Sequence, residues 1–369
     1  MDNLSSSSVP SKNITPEDHL PLIEKYRPKE FKNIASHTEL LSTLDNFITA
    51  GRLPHLLFHG PPGTGKTTTI LAMARKMYGD QFTQMTLERN ASDDRGIDTV
   101  RTEIKTFAST KSVFCRLPKL IILDECDAMV KEAQFALRRI VEKYSSNARF
   151  CLICNYVNRI IPALQSRCTK MRFCPLEPQT IFDRLKEISS LEGYTADDNA
   201  LKSIVTLSGG DMRKALNTLQ SVAMATMPSP LSQLSSLTSD ASSTPANQKA
   251  AITVDAVYQT AGKPNPRMIE EFIYFAMNRP FEEAIEACWK LKEEGSHSLG
   301  DIISACHSRL VRISLPLIVK CTLLDKMAVI SADASRAYNE RLQFIGFISI
   351  LQEAQIEGVK EGIRLTNQD

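Results

Sequence analysis

The sequence predicts an α/β fold: a parallel-sheet phosphate-loop domain, followed by a small helical domain and an all-helical C-terminal domain. Three observations predict it. Gly60-Pro-Pro-Gly-Thr-Gly-Lys-Thr67 has the spacing G-x-x-x-x-G-K-[ST], set between an apolar run and a helical pattern. Leu120-Ile-Ile-Leu-Asp-Glu125 is an apolar run ending in paired carboxylates, as expected of a central parallel strand that opens at a ligand crevice. Strands alternate with helices to about residue 175, and beyond that the apolar spacing is helical.

Taken in order, residues 1–19 are Ser-, Asn- and Pro-containing with few apolar residues and read as a disordered tail. Leu22-Ile-Glu-Lys-Tyr-Arg-Pro28 follows, with Tyr26 and Arg27 suited to packing against a nucleotide base. Glu39 to Ile48 is amphipathic. Leu53 to Phe58 reads as a short buried strand, and Thr68 to Met77 carries Ile70, Leu71, Met73, Ala74 and Met77 at helical spacing. Between them the glycines let successive backbone N–H groups point inward, making an anion-binding nest at a helix N-terminus. Lys66 is placed to reach β- and γ-phosphates, and the Thr67 hydroxyl to ligate Mg²⁺. An ordinary glycine-rich turn is the alternative; the complete pattern in this context stands against it.

Met85 to Arg89 reads as a strand, Asn90-Ala-Ser-Asp-Asp-Arg-Gly96 as a turn, and Ile97 to Phe107 as a helix with Arg101 and Lys105 one turn apart. At the end of the next strand, Asp124 is suited to hold Mg²⁺ through its water shell and Glu125 to polarise an attacking water. Two acids there could also be plain capping charges. Val130 to Tyr144 is helical, Arg149 to Tyr156 is an apolar strand with Asn155 at its end, and Ile160 to Cys168 closes with Ser166-Arg167-Cys168. Glu177 to Met227 is helical and contains Gly209-Gly-Asp-Met-Arg213, where Asp211 can cap the next helix. Pro228 to Asn247 is Ser-, Thr- and Pro-rich without a period and reads as a mobile insertion or linker. Ile252 to Leu365 returns to helical patterning. The expected divisions are therefore 20–176, 177–228, a linker at 229–250, and 251–369.

At 369 residues the chain exceeds one compact core, in keeping with several domains. No apolar run approaches a membrane span, so no membrane partner is expected, and the Ser-rich N-terminus lacks a signal-peptide hydrophobic region. Nine cysteines in core-like segments suit reduced thiols in a cytosolic or nuclear compartment. Cys151 and Cys154 resemble a C-x-x-C pair, but on a strand they point to opposite faces and read as buried small hydrophobes. Net charge is only +2, yet basic residues outnumber acidic ones from Arg95 to Lys119 and from Lys131 to Arg172. Such bias is usually a solvated face; a track for a phosphate backbone is the functional reading.

These motifs together resemble the small subunits of replication factor C, the eukaryotic clamp loader of the AAA+ class. The residues that carry the resemblance are Glu24-Lys-Tyr-Arg-Pro28, the phosphate loop, Asn90 to Gly96, Leu123-Asp-Glu125, Arg149 to Asn155, Ser166-Arg-Cys168 and Gly210-Asp-Met-Arg213. It covers about residues 20–228 strongly and the C-terminal third more weakly. The resemblance implies an ATPase, acting with Mg²⁺, that helps open a sliding clamp and place it on primer–template DNA in the nucleus, as one of five subunits in a ring. It also implies site roles. Gly60, Pro61, Pro62, Gly63, Thr64, Gly65, Lys66, Thr67 and Thr68 would hold the phosphates, and Ile23 and Arg27 would lie by the base and sugar. Asn155 would be a sensor of the water or γ-phosphate, Arg213 the lid-domain sensor, and Arg167 an arginine finger for the adjacent subunit. Arg95, Arg101 and Lys111 would track the duplex backbone, and the C-terminal helices would form a collar. Two departures stand out: the usual Asp-Glu-Ala-Asp is here Asp124-Glu-Cys-Asp127, and the Ser-rich stretch is an addition between lid and collar. A subunit that binds nucleotide but only supplies its arginine finger, or another AAA+ DNA remodeller, are the alternatives.

Overall fold

The computed structural model describes residues 20–31, 37–91, 97–110, 117–226, 251–334, 336 and 339–366; the expected tail and the Ser-rich stretch lie outside these. They fall into two compact units, Met1–Ile252 and Thr253–Asp369. In the first, β1 (Leu56–His59), β2 (Thr86–Asn90), β3 (Lys119–Asp124), β4 (Ala148–Cys154) and β5 (Thr169–Arg172) form a parallel sheet in the order β2-β3-β4-β1-β5. Accompanying them are α1 (Leu22–Lys25), α2 (Thr38–Thr49), α3 (Lys66–Tyr78), α4 (Phe82–Met85), α5 (Ile97–Ser109), α6 (Lys131–Tyr144) and α7 (Pro162–Gln165).

The central strands are buried along almost their whole length, which requires helices on both faces of the sheet. On one face Leu57, Ile121, Leu123, Phe150 and Leu152 pack with Ile104 of α5, Leu137 and Val141 of α6, and Leu164 of α7. On the other, Leu56, Phe58, Leu120, Ile122 and Ile153 pack with Leu44 of α2 and with Ile70 and Met73 of α3. Each of these enclosed side chains contributes roughly 1.5–3 kcal/mol relative to exposure. Cys151 joins the second cluster and Cys154 the first, so the two thiols do face opposite ways. Burial pushes the Cys154 thiol up to about 12 and the Cys151 thiol well above its ordinary value, so both remain protonated apolar groups.

The strand boundaries shift from the expected ones for local reasons. β1 starts at Leu56 and not Leu53, beyond Pro54, which has no N–H to give a ladder. Met85 ends α4 before β2 begins. β3 stops at Asp124, and Glu125 leaves it with φ +53°. β4 stops at Cys154, which puts Asn155 just past its end. β5 has no counterpart in the sequence reading, because only Met171 of its four residues is buried. It is an edge strand with exposed Lys170 and Arg172, charges that also discourage pairing with another chain.

Three further helices, α8 (Pro178–Glu192), α9 (Asp198–Ser208) and α10 (Met212–Thr226), bury Ile181, Leu185, Ile188, Leu201, Ile204, Leu219 and Val222. Gly193 and Gly209 end α8 and α9 in the left-handed conformation that a side chain would resist. Asp211 caps α10 through Oδ1, which accepts from the N–H groups of Arg213 at 2.8 Å and Lys214 at 3.1 Å. Two short strands, β6 (Thr195–Ala196) and β7 (Ala251–Ile252), pair in parallel. The chain thus returns to this helical layer after residue 250, and the division between units falls two residues beyond the expected boundary.

The second unit consists of α11 (Val254–Ala261), α12 (Pro266–Asn278), α13 (Phe281–Gly295), α14 (Leu299–Leu310), α15 (Leu317–Ala334) and α16 (Glu340–Thr366). Thr253, Asn265 and Ser298 cap α11, α12 and α14 with side-chain oxygens. Its core centres on Phe272, which lies 6.0 Å from the Phe344 ring edge-on and 6.2 Å from the Phe347 ring in a stacked pose.

One close approach in the sheet is severe enough to test. Gly60 follows β1 with φ +148°, and an added Cβ would sit 2.1 Å from the Phe173 carbonyl oxygen at the end of β5. The Phe173 N–H also donates to the His59 carbonyl at 2.8 Å, which holds the two backbones there. Gly60→Ala is expected to destabilise the first unit by about 2–4 kcal/mol, measured by urea unfolding.

Candidate nucleotide-binding site

In a parallel sheet the C-terminal strand ends open at one edge, and here three of them converge. β1 runs into the phosphate loop and α3, β3 delivers Asp124, and β4 delivers Asn155. Gly63 and Gly65 take φ +67° and +89°, turning the loop so that Lys66 begins α3. Lys66 is 7% exposed. Its ammonium donates to the carbonyls of Gly60 at 2.7 Å and Pro61 at 2.8 Å, and to Asn155 Oδ1 at 2.9 Å. Burial pulls its pKa below the usual lysine value, and the nearby Asp124 carboxylate opposes that pull.

The Thr67 hydroxyl donates to Asp124 Oδ2 at 2.6 Å, while Asp124 Oδ1 accepts the N–H of Glu125 at 2.8 Å. A hydroxyl and a carboxylate side by side on the cavity wall are hard oxygen donors. So small a set fits Mg²⁺, which retains waters and takes its remaining ligands from phosphate oxygens. Asp127 Oδ2 accepts the N–H groups of Asn155 at 3.4 Å and Tyr156 at 3.3 Å, pinning the backbone that carries the Asn155 amide. Between the two acids, Cys126 is buried, with Sγ 3.2 Å from the Leu123 carbonyl. Burial raises its thiol well above the ordinary value, so cysteine acts here as a slightly larger alanine.

Of the residues expected at the site, Ile23, Arg27, the loop from Pro62 to Thr68, Asp124, Glu125, Asn155 and Arg213 line one cavity. Gly60 and Pro61 contribute carbonyls to Lys66 and are not part of that lining. Arg167 stands apart: its guanidinium is 2.5 Å from Glu142 of α6 and donates to the Ala163 carbonyl at 2.6 Å. Arg95 and Lys111 lie outside the described residues; Arg101 is on α5, its side chain likewise outside them.

Beyond Arg213, the sequence reading missed the lid's share of the wall. Thr180 and Arg184 of α8, and Met212 and Leu216 of α10, line the same cavity, each pair four residues apart on one helix face. The lid touches the loop directly, for the Met212 N–H donates to the Gly63 carbonyl at 3.3 Å. A Cβ on Gly63 would sit 1.7 Å from Asp211 Oδ1, so the glycine leaves room for the cap of α10.

Three family models match the chain in succession. They are the ATPase family associated with various cellular activities (AAA) at residues 56–176, the RCF1/5-like AAA+ ATPase lid domain at 183–224, and the replication factor C C-terminal domain at 264–349. Replication factor C subunit 5 of Mus musculus is 44% identical, covering 90% of this chain and 92% of its own length. Replication factor C subunit 3 of Oryza sativa subsp. japonica is 44% identical over 91% and 87% of the two chains, and that of Schizosaccharomyces pombe 41% identical over 95% and 93%. The chain belongs to the replication factor C small subunits. Its parallel-sheet domain is the AAA ATPase domain, α8 to α10 form the AAA+ lid, and the second unit carries the replication factor C C-terminal domain.

In this replication factor C subunit the Asp127 carboxylate holds the backbone of Asn155 and Tyr156. Asp127→Ala is expected to lower ATP turnover about tenfold, roughly the combined worth of its two long hydrogen bonds to the backbone of Asn155 and Tyr156, with ATP affinity nearly unchanged. Steady-state hydrolysis and nucleotide titration of the same variant measure the two effects separately.

Proposed function

We propose that this replication factor C subunit binds ATP with Mg²⁺ in the cavity between sheet and lid, as part of a loader that opens a sliding clamp and places it on primer–template DNA, and that hydrolysis of the ATP releases clamp and DNA. The observation that carries this reading is the clasp on Lys66, an enclosed ammonium held between the phosphate loop and Asn155, next to the Thr67–Asp124 pair. Such a cation is placed to offset charge on β- and γ-phosphate oxygens. Thr67 and Asp124 would hold Mg²⁺, which would supply positive charge against the charge developing on the transferred phosphate. Glu125, released from β3 by its left-handed backbone, polarises the attacking water, and Asn155 orients that water or the γ-phosphate. Arg213 brings a lid cation to the phosphates, and Ile23 and Arg27 hold the base and sugar.

The remaining assignments rest on the family. Arg167 serves as an arginine finger for the neighbouring subunit; its place beside Glu142 and away from the subunit's own cavity supports that. Arg95, Arg101 and Lys111 follow the DNA phosphates without reading bases. Residues 20–176 act as the ATPase body, 177–228 as the lid and 251–369 as the collar of a five-subunit ring, with 229–250 an insertion. Its place of work is the nucleus; among the described residues no helix is long and apolar enough to cross a membrane.

Glu125→Gln is expected to trap ATP, because the amide does not polarise water while Asp124 and Thr67 are intact. In the reconstituted complex, single-turnover hydrolysis at this site falls at least about a hundredfold while nucleotide binding persists; wild-type hydrolysis would remove Glu125 from the role. Arg167→Ala should leave nucleotide binding at this chain's own loop intact and slow hydrolysis next door, by up to roughly 10³-fold. Complexes in which one subunit at a time retains its phosphate-loop lysine locate the deficit, and a deficit at this chain's own site contradicts a finger acting in trans.

A further inference from the structure

The short segment that carries Ile23 and Arg27 does not hold its own shape. α1 is four residues long, without a side-chain cap, and a helix of one turn has no stability of its own. Its fixings come from the lid. The Tyr26 hydroxyl donates to Glu192 Oε1 at 2.6 Å, and the Lys25 ammonium lies 2.7 Å from that same oxygen. Arg184 Nη2 donates to the Tyr26 carbonyl at 3.3 Å, and Gln220 Oε1 accepts the Leu22 N–H at 3.1 Å. The wall of the cavity formed by residues 23–28 is thereby tied to α10 at Leu22 and to α8 at Lys25 and Tyr26.

Glu192 occupies an unusual place for an anion. It is the last residue of α8, next to the Gly193 turn, where the helix carries its partial negative charge. A carboxylate there is unfavourable unless cations or donors meet it, and Lys25 and Tyr26 do. Its side chain is 17% exposed, so the pair with Lys25 and the Tyr26 bond are shielded in part from water and salt. It does not line the cavity, so any effect on nucleotide passes through the segment it holds.

We propose that Glu192 is a positioning residue for recognition of the nucleotide's base: it fastens residues 22–28 to the lid, so that base wall and lid approach the phosphate loop as one body. The inference rests on the reading of Ile23 and Arg27 as base and sugar contacts. Pre-ordering the wall removes an entropic cost from binding the base end of the ligand and leaves the phosphate end unaffected. The signature is therefore a loss confined to ligands that carry a base.

The test titrates the full-length chain with Mg²⁺ and either ATP or tripolyphosphate, which has the phosphates but neither sugar nor base. Glu192→Ala, and more mildly Glu192→Gln, should weaken ATP about three- to tenfold and leave tripolyphosphate unchanged, the scale of one or two charge-assisted hydrogen bonds. Tyr26→Phe should weaken ATP in the same selective way but add little on a Glu192→Ala background, since both changes break one contact. Ile23→Ala reports on the slot itself. If it shifts ATP relative to tripolyphosphate while the Glu192 variants do not, Glu192 has no positioning role. Parallel losses of both ligands in the Glu192 variants make Glu192 a lid-folding residue only and overturn the proposal. An unchanged ATP-to-tripolyphosphate ratio in Ile23→Ala overturns the base-slot reading, and this inference with it.

Discussion

An enclosed ammonium is the constraint to which the rest of the ATPase domain answers. Desolvating the Lys66 charge costs several kcal/mol unless hydrogen-bond acceptors replace water, and those acceptors come from separate parts of the chain. Two are backbone carbonyls at the exit of β1, and one is the Asn155 amide oxygen beyond β4. β1 and β4 are direct neighbours with Leu57 opposite Leu152. A one-residue slip in that pairing would turn every side chain to the other face of its strand and carry Asn155 away from the ammonium. The apolar packing on both faces of the sheet thus also sets the electrostatics of the site.

What the sequence disclosed and what it hid divide along chain distance. The phosphate loop is local: eight consecutive residues carry the glycines that turn and the lysine and threonine that reach the cavity. β3 announces itself as four apolar residues before two acids. The opposed thiols Cys151 and Cys154 follow from strand geometry alone. β5 was hidden because it is an edge strand with one buried side chain in four, so no apolar run marks it. The grip of Asp127 on Asn155 was hidden for another reason, since its partners are backbone N–H groups that no residue type advertises. Apart from Arg213, the lid's contribution was the least visible. Thr180, Arg184, Met212 and Leu216 read as ordinary helical positions until the fold sets them against a loop more than a hundred residues earlier.

Lid and phosphate loop are fitted to each other at a scale of single atoms. The carboxylate of Asp211 closes the N-terminus of α10 and fills the volume that a side chain at position 63 would need. Glycine is therefore required at that position twice, for its φ of +67° and for the space above it. Arg213 is two residues from this contact, so the placing of the lid cation depends on the same carboxylate that caps its helix.

The two-residue ladder between β6 and β7 has a consequence for how this chain tolerates change in length. Residues 195–196 and 251–252 are joined, and α10 ends at Thr226, so the lid holds the chain on either side of residues 227–250. The entropic cost of joining two fixed points of a chain grows only as the logarithm of the length between them, about 0.6 kcal/mol for each doubling. Insertions and deletions between Thr226 and Ala251 are in that sense nearly neutral, while the anchored ends keep α10 and Arg213 in place. A fluorophore or affinity tag grafted between Thr226 and Ala251 would be joined to the lid at both ends.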